Sequence, residues 1–75
     1  MDKHIIGENA GIVWRLLNNE NRKWEFKEIK EATKLDELEL ASAIGWLARE
    51  DKIQFELNKE GEKAYIYLMC NVYIG

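Results

Sequence analysis

The sequence predicts an α+β fold in which three helices precede a two-stranded hairpin. Apolar residues recur at helical spacing in three stretches before residue 50, and after Asp51 the apolar period changes from 3.6 to 2. Size narrows the architecture further. A chain of 75 residues with one cysteine, no proline and 47% apolar residues reads as a single domain, residues 1–75, with no internal disulfide. Folding at this length removes only about 60% of the unfolded chain's surface from water, so stability is marginal and a partner chain would add to it.

The first helix is expected from about Gly7 to Asn18. Ile6, Ala10, Val13, Trp14 and Leu17 mark its apolar stripe, and Ile12 and Leu16 widen it, so burial over much of its circumference is expected. Asn18-Asn19-Glu20-Asn21 ends it, because Asn side chains tolerate left-handed turns. Trp24-Glu25-Phe26 is a short aromatic segment suited to one small strand. The second helix follows at once. Phe26, Ile29 and Ala32 recur at i, i+3 and i+6, with Lys27, Glu28, Lys30 and Glu31 toward water, and Thr33-Lys34 begins a tight turn.

The third helix has the clearest start. With Asp36 as N-cap, Glu39 falls at N3 and completes a capping box, while Leu35 and Leu40 take the spacing of a hydrophobic staple. Its buried stripe is Leu40, Ala43, Ile44 and Leu47; Leu38, Ser42, Gly45 and Arg49 point the opposite way, with Trp46 on a flank. Beyond Asp51, Ile53, Phe55 and Leu57 alternate with polar residues as a half-buried strand. Asn58 to Lys63 forms a loop with Gly61 available for positive φ. A second strand returns from Ala64, with Ile66, Leu68 and Cys70 on one face and Tyr65, Tyr67 and Met69 on the other. Ile53–Leu57 leaves Asn71 to Gly75 without an obvious neighbour; either Trp24–Phe26 takes some of it or a second subunit covers the apolar edge.

Charge is unevenly spread. Residues 36–51 carry Arg49 against Asp36, Glu37, Glu39, Glu50 and Asp51, a net −4, while residues 1–35 carry +1 and residues 52–75 balance. The whole net charge of −3 is therefore set by the third helix and its exit.

Several function classes fall away. Met1 to Gly7 has no apolar stretch of signal-peptide length, and the longest apolar run, Ala64 to Cys70, is far shorter than the ~18–20 residues that span a bilayer. A soluble, cytoplasmic protein with no membrane contact is expected. His4, the single histidine, reads as a solvated residue of a mobile terminus, and Cys70 as a buried strand residue. Neither has metal-ligand spacing, and no phosphate-binding or dinucleotide motif is present. No catalytic residue, metal, cofactor or small-molecule ligand is expected, and the chain reads as a non-enzyme.

The segment Phe26 to Phe55 resembles a winged helix-turn-helix. Phe26 to Ala32 is similar to its positioning helix, Leu38 to Glu50 to its recognition helix, and Leu47 to Ile53 to the exit into the wing. More narrowly, Gly7 to Gly11, Val13-Trp14 and Gly45 to Glu50 resemble a small bacterial winged helix-turn-helix domain family of uncharacterised function. Many members carry one glycine in the turn and another before the wing; here those places hold Thr33-Lys34 and Asp51.

The resemblance implies a DNA-binding, transcription-regulatory module acting as a dimer on double-stranded DNA. Its contacts would be Arg49 and Ser42 of the third helix, Lys27, Lys30 and Lys34 of the second, and Lys59 and Lys63 of the wing. Charge argues the other way. The N-terminal turn that usually meets base edges carries three carboxylates, Glu60 and Glu62 offset the wing lysines, and alternating charge on the second helix more often marks a solvated face. The alternative is a protein-interaction or dimerisation module that keeps the fold without DNA. Its interface candidates are Leu38, Gly45 and Trp46 on the third helix and Tyr65, Tyr67 and Tyr73 on the last strand. Gly45 costs about 1 kcal/mol relative to alanine inside a helix, which an approaching partner helix would explain. Trp46 covering the edge of a neighbouring helix is the other open reading.

Overall fold

The computed structural model describes residues 2–69. The elements run α1 (Lys3–Asn19), β1 (Trp24–Glu25), α2 (Phe26–Thr33), α3 (Glu37–Arg49), β2 (Ile53–Leu57) and β3 (Ala64–Leu68). The three strands form an antiparallel sheet in the order β1-β3-β2. Trp24 pairs with Ile66 across one edge of β3 and Phe55 with Ile66 across the other. The aromatic segment before α2 is thus a strand, and β3 is the centre of the sheet. Cys70, Tyr73 and the expected unpaired segment Asn71 to Gly75 lie outside the described residues.

The core draws on every element: Ala10, Val13 and Leu17 from α1, Trp24 from β1, Ile29 from α2, the Leu40-Ala43-Ile44-Leu47 stripe of α3, then Ile53 and Ile66. All four stripe residues expected on α3 are buried. Trp24 keeps its indole N–H satisfied by donating to the Glu20 carbonyl at 3.0 Å, and Arg22 stacks 3.6 Å from its ring. Asn9 is the buried polar side chain of α1, and its Nδ2 has no partner among the described residues.

Helix ends follow the local chemistry. Asp36 and Glu39 form the capping box reciprocally: the Glu39 N–H donates to Asp36 Oδ1 at 2.8 Å, and the Asp36 N–H donates to Glu39 Oε1 at 3.0 Å. Asp36→Ala is expected to cost about 1 kcal/mol, read as a lower midpoint in urea at unchanged slope. At the other end the Asp51 N–H donates to the Ala48 carbonyl and the Lys52 N–H to the Leu47 carbonyl, the two bonds of a Schellman motif. Asp51 sits at its left-handed position with φ 57°, and Lys34 closes α2 with φ 64°. Both places that lack the family's glycine have the backbone that favours glycine.

Five expectations need correction. The first helix begins four residues early, because Asp2 caps it by accepting from the Ile5 N–H at 3.1 Å. His4 therefore stands exposed in a helical turn rather than in a mobile terminus. Ile12 and Trp14 are each 38% exposed, so α1 buries one stripe and presents the rest to water. Ala32 is exposed too; Ile29, with Phe26 partly buried beside it, anchors α2. In the hairpin only Ile53 of β2 is buried, while Phe55 and Leu57 are exposed: β2 is the outer strand of the sheet, and Phe55 is open to water even though its cross-strand partner Ile66 is buried.

Candidate nucleic-acid interface

Lys27 and Lys30, at i and i+3, share one side of α2, and Lys34, the left-handed C-cap just past its end, lines the same depression. That depression, of about 450 Å³, is also lined by Glu31 and Leu35. Counting Glu31 and Glu37, whose Oε1 lies 3.5 Å from Lys30 Nζ, three cations meet two carboxylates and leave this face with a net charge of about +1. Glu28 lies off it: its carboxylate accepts from the Glu25 N–H at 2.9 Å and meets Arg22 Nη1 at 3.2 Å. Those two contacts, the backbone one first, hold the Glu28 carboxyl below the usual carboxylate range.

The acidic first turn of α3 is adjacent, and its charges are engaged. Asp36 and Glu39 are occupied by the capping box, and Glu37 Oε1 lies 3.5 Å from Lys30 Nζ. That ion pair ties the lysine face of α2 to the start of α3. Such an exposed pair adds only about 0–1 kcal/mol, so its importance is positional.

The remaining sequence-predicted contacts are dispersed. Arg49 is exposed at the last residue of α3, about 18 Å along the helix axis from Glu37. Ser42 is half-buried midway. Lys59 is exposed in the wing loop, which Asn58 organises by accepting from the Glu62 and Lys63 N–H groups. Lys63 turns back toward β1, its Nζ 3.4 Å from Glu25 Oε1. Only the three α2 lysines are gathered into one surface.

The interface candidates separate as well. Tyr65 and Tyr67 are half-buried on the sheet face shared with Glu25, Glu56 and Lys23; Lys23 bonds Glu56 and lies 5.6 Å from the Tyr67 ring. Leu38 is 66% exposed near the start of α3, Gly45 is exposed, and Trp46 is 47% exposed farther on. Sequence reasoning missed Trp14, assigned to the core, which stands across a groove from Trp46. Gly7 and Gly11, one turn apart beside Trp14, were the available signal, since a helix face without side chains has little to bury.

Comparison with known proteins agrees with this architecture. The Winged helix-turn-helix domain (DUF2582) family matches residues 1–68. The solution structure of protein BT2368 from Bacteroides thetaiotaomicron is 41% identical, with a TM-score of 0.77 over 91% of this chain and 79% of that one. The PcaV transcriptional regulator from Streptomyces coelicolor, crystallised with its natural ligand, shares the fold at 17% identity and a TM-score of 0.67. This chain is covered to 92% in that match and spans 45% of the regulator. No curated protein matches the sequence. With its helix-turn-helix, its three-stranded winged sheet and a family match over nearly its whole length, the chain belongs to the DUF2582 family of winged helix-turn-helix domains.

Proposed function

We propose that the chain is a single-domain, cytoplasmic DNA-binding module of regulatory type, a binder and not an enzyme, that grips the phosphate backbone through the lysine face of α2. In helix-turn-helix proteins the first helix of the motif crosses the backbone while the second enters the major groove. Lys27 and Lys30 are on the helix that has that task, and Lys34 caps it. The acidic turn of α3, already engaged by its own cap and by Lys30, makes backbone contact the larger part of the affinity, with Arg49, Ser42, Lys59 and Lys63 as secondary contacts.

The observation that carries this reading is Lys34. It holds φ 64°, where a non-glycine residue is strained by about 1–2 kcal/mol, and the same residue completes the lysine cluster. Strain kept at one position and shared with a charge cluster supports a role for the side chain. Lys34→Gly separates the two effects. It is expected to stabilise the fold by about 0.5–1 kcal/mol, raising Tm by about 2–8 °C, and to weaken binding to random-sequence duplex at about 50 mM salt. Fluorescence anisotropy and a thermal melt on the same sample measure both. Higher stability with unchanged affinity would leave Lys34 without a binding role, and no binding by the wild type at that salt would overturn DNA recognition.

A protein-interaction role is favoured by a separate observation, the exposed tryptophan pair of α1 and α3, which involves none of the α2 lysines.

A further inference from the structure

Trp14 of α1 and Trp46 of α3 form the two sides of an open groove of about 460 Å³. Its floor is Gly7, Ala10, Gly11 and Leu47, of which Ala10 and Leu47 belong to the core. At 38% and 47% exposure, the two indoles leave a large apolar area in water. A side chain at Gly7 would meet nothing within 4 Å, so packing inside this chain does not account for glycine at that place in the groove. The surface continues beyond the groove. Trp14 and Lys52 also line the neighbouring depression with Tyr67 and Met69, joining the tryptophan pair to the aromatic face of β3.

Charges at the groove indicate what covers it. Arg15 and Lys52 line it together with Glu50. None of the three makes an ion pair among the described residues. A surface with both signs beside an apolar centre is complementary to itself: a two-fold axis through the groove would set each Glu50 against the other copy's Arg15 or Lys52. We infer that the Trp14–Trp46 groove is the face on which a second copy of this chain docks, making an isologous homodimer. Lys27, Lys30 and Lys34 line a different depression, which shares no lining residue with this groove. The inference stands independently of DNA binding, since its test alters none of those lysines.

Sedimentation equilibrium across protein concentration tests it. The wild type is expected to pass from monomer to dimer below about 1 mM, and Trp46→Glu to weaken the dimer about 100-fold or more. Charge reversal supplies the second arm. Glu50→Lys alone and the double variant Arg15→Glu/Lys52→Glu alone should each dimerise about tenfold more weakly than wild type. Mixed in equal amounts they should form a heterodimer of near wild-type affinity, because both contacts are restored across the axis. These three side chains lie at the surface of the groove, so this arm remains informative even if Trp46→Glu fails to fold. A wild type that stays monomeric at about 1 mM would overturn the inference and assign the groove to another occupant. So would dimers indifferent to Trp46→Glu in its folded form, or a mixture that fails to associate.

Discussion

Leu40→Ala is expected to remove about 3 kcal/mol of stability and lower Tm by about 10–20 °C. Leu40 has no solvent exposure and sits one turn into α3, where the helix first meets the core. Deleting its side chain forfeits the transfer free energy of three carbons and leaves a cavity that close-packed neighbours fill only in part. A chain of this length has about 4–11 kcal/mol to lose, so one substitution removes a large share of the total. Leu57→Ala is the matched control. Leu57 is 66% exposed on the wing, and its loss should stay within about 0.5 kcal/mol. Chemical denaturation of both variants decides the matter; a loss below about 1 kcal/mol for Leu40 would mean that α3 does not hold the core together.

The largest expected change in binding comes from reversing the α2 face as a whole. The triple variant Lys27→Glu/Lys30→Glu/Lys34→Glu replaces three cations with three anions on one surface. If each lysine neutralises one phosphate, the slope of log affinity against log salt should become shallower by about 2.7. Affinity for random duplex at about 50 mM salt should fall about 100-fold or more. The fold should tolerate the change, because Lys27 and Lys34 are exposed and the lost Lys30–Glu37 pair is an exposed one. Arg49→Glu, at the other end of α3, is expected to produce a smaller effect. Affinity within about twofold of wild type for the triple variant would remove α2 from the interface.

Much of the fold was legible because its signals were local. The capping box of Asp36 and Glu39 and the four-residue stripe of α3 depend on spacing within one helix, and both are where the sequence indicates. The glycine positions replaced by Lys34 and Asp51 also proved informative, since each has the positive φ that glycine would serve. The start of α1, capped locally by Asp2, was missed within one turn; the other failures depended on distance between elements. Trp14 has helical spacing with the core residues of α1, but whether that flank is covered depends on how far α3 lies from it. Phe55 and Leu57 alternate as a half-buried strand should, yet β2 is the outer strand of the sheet and only its Ile53 is covered.

The candidate sites divide in the same way. Lys27 and Lys30 lie on one helix, so their grouping follows from a period of 3.6, and Lys34 joins them from the helix's C-cap. The partnership of Trp14 with Trp46 joins residues thirty-two positions apart and is visible only once α1 and α3 are packed. The acidity of the third helix reads differently in three dimensions. Its carboxylates are employed in capping the helix and in holding Lys30, which makes them poor evidence about the surface opposite.

Binding of random-sequence duplex DNA to ¹⁵N-labelled protein at about 50 mM salt, followed by NMR, tests the proposed interface most directly. The amides of Lys27 to Lys34 should shift most, with smaller changes at Arg49 and in the wing loop around Lys59, and all should diminish as salt is raised. Shifts confined to Trp14, Trp46 and their neighbours, or no shifts at all, would contradict recognition of DNA through the lysine face of α2.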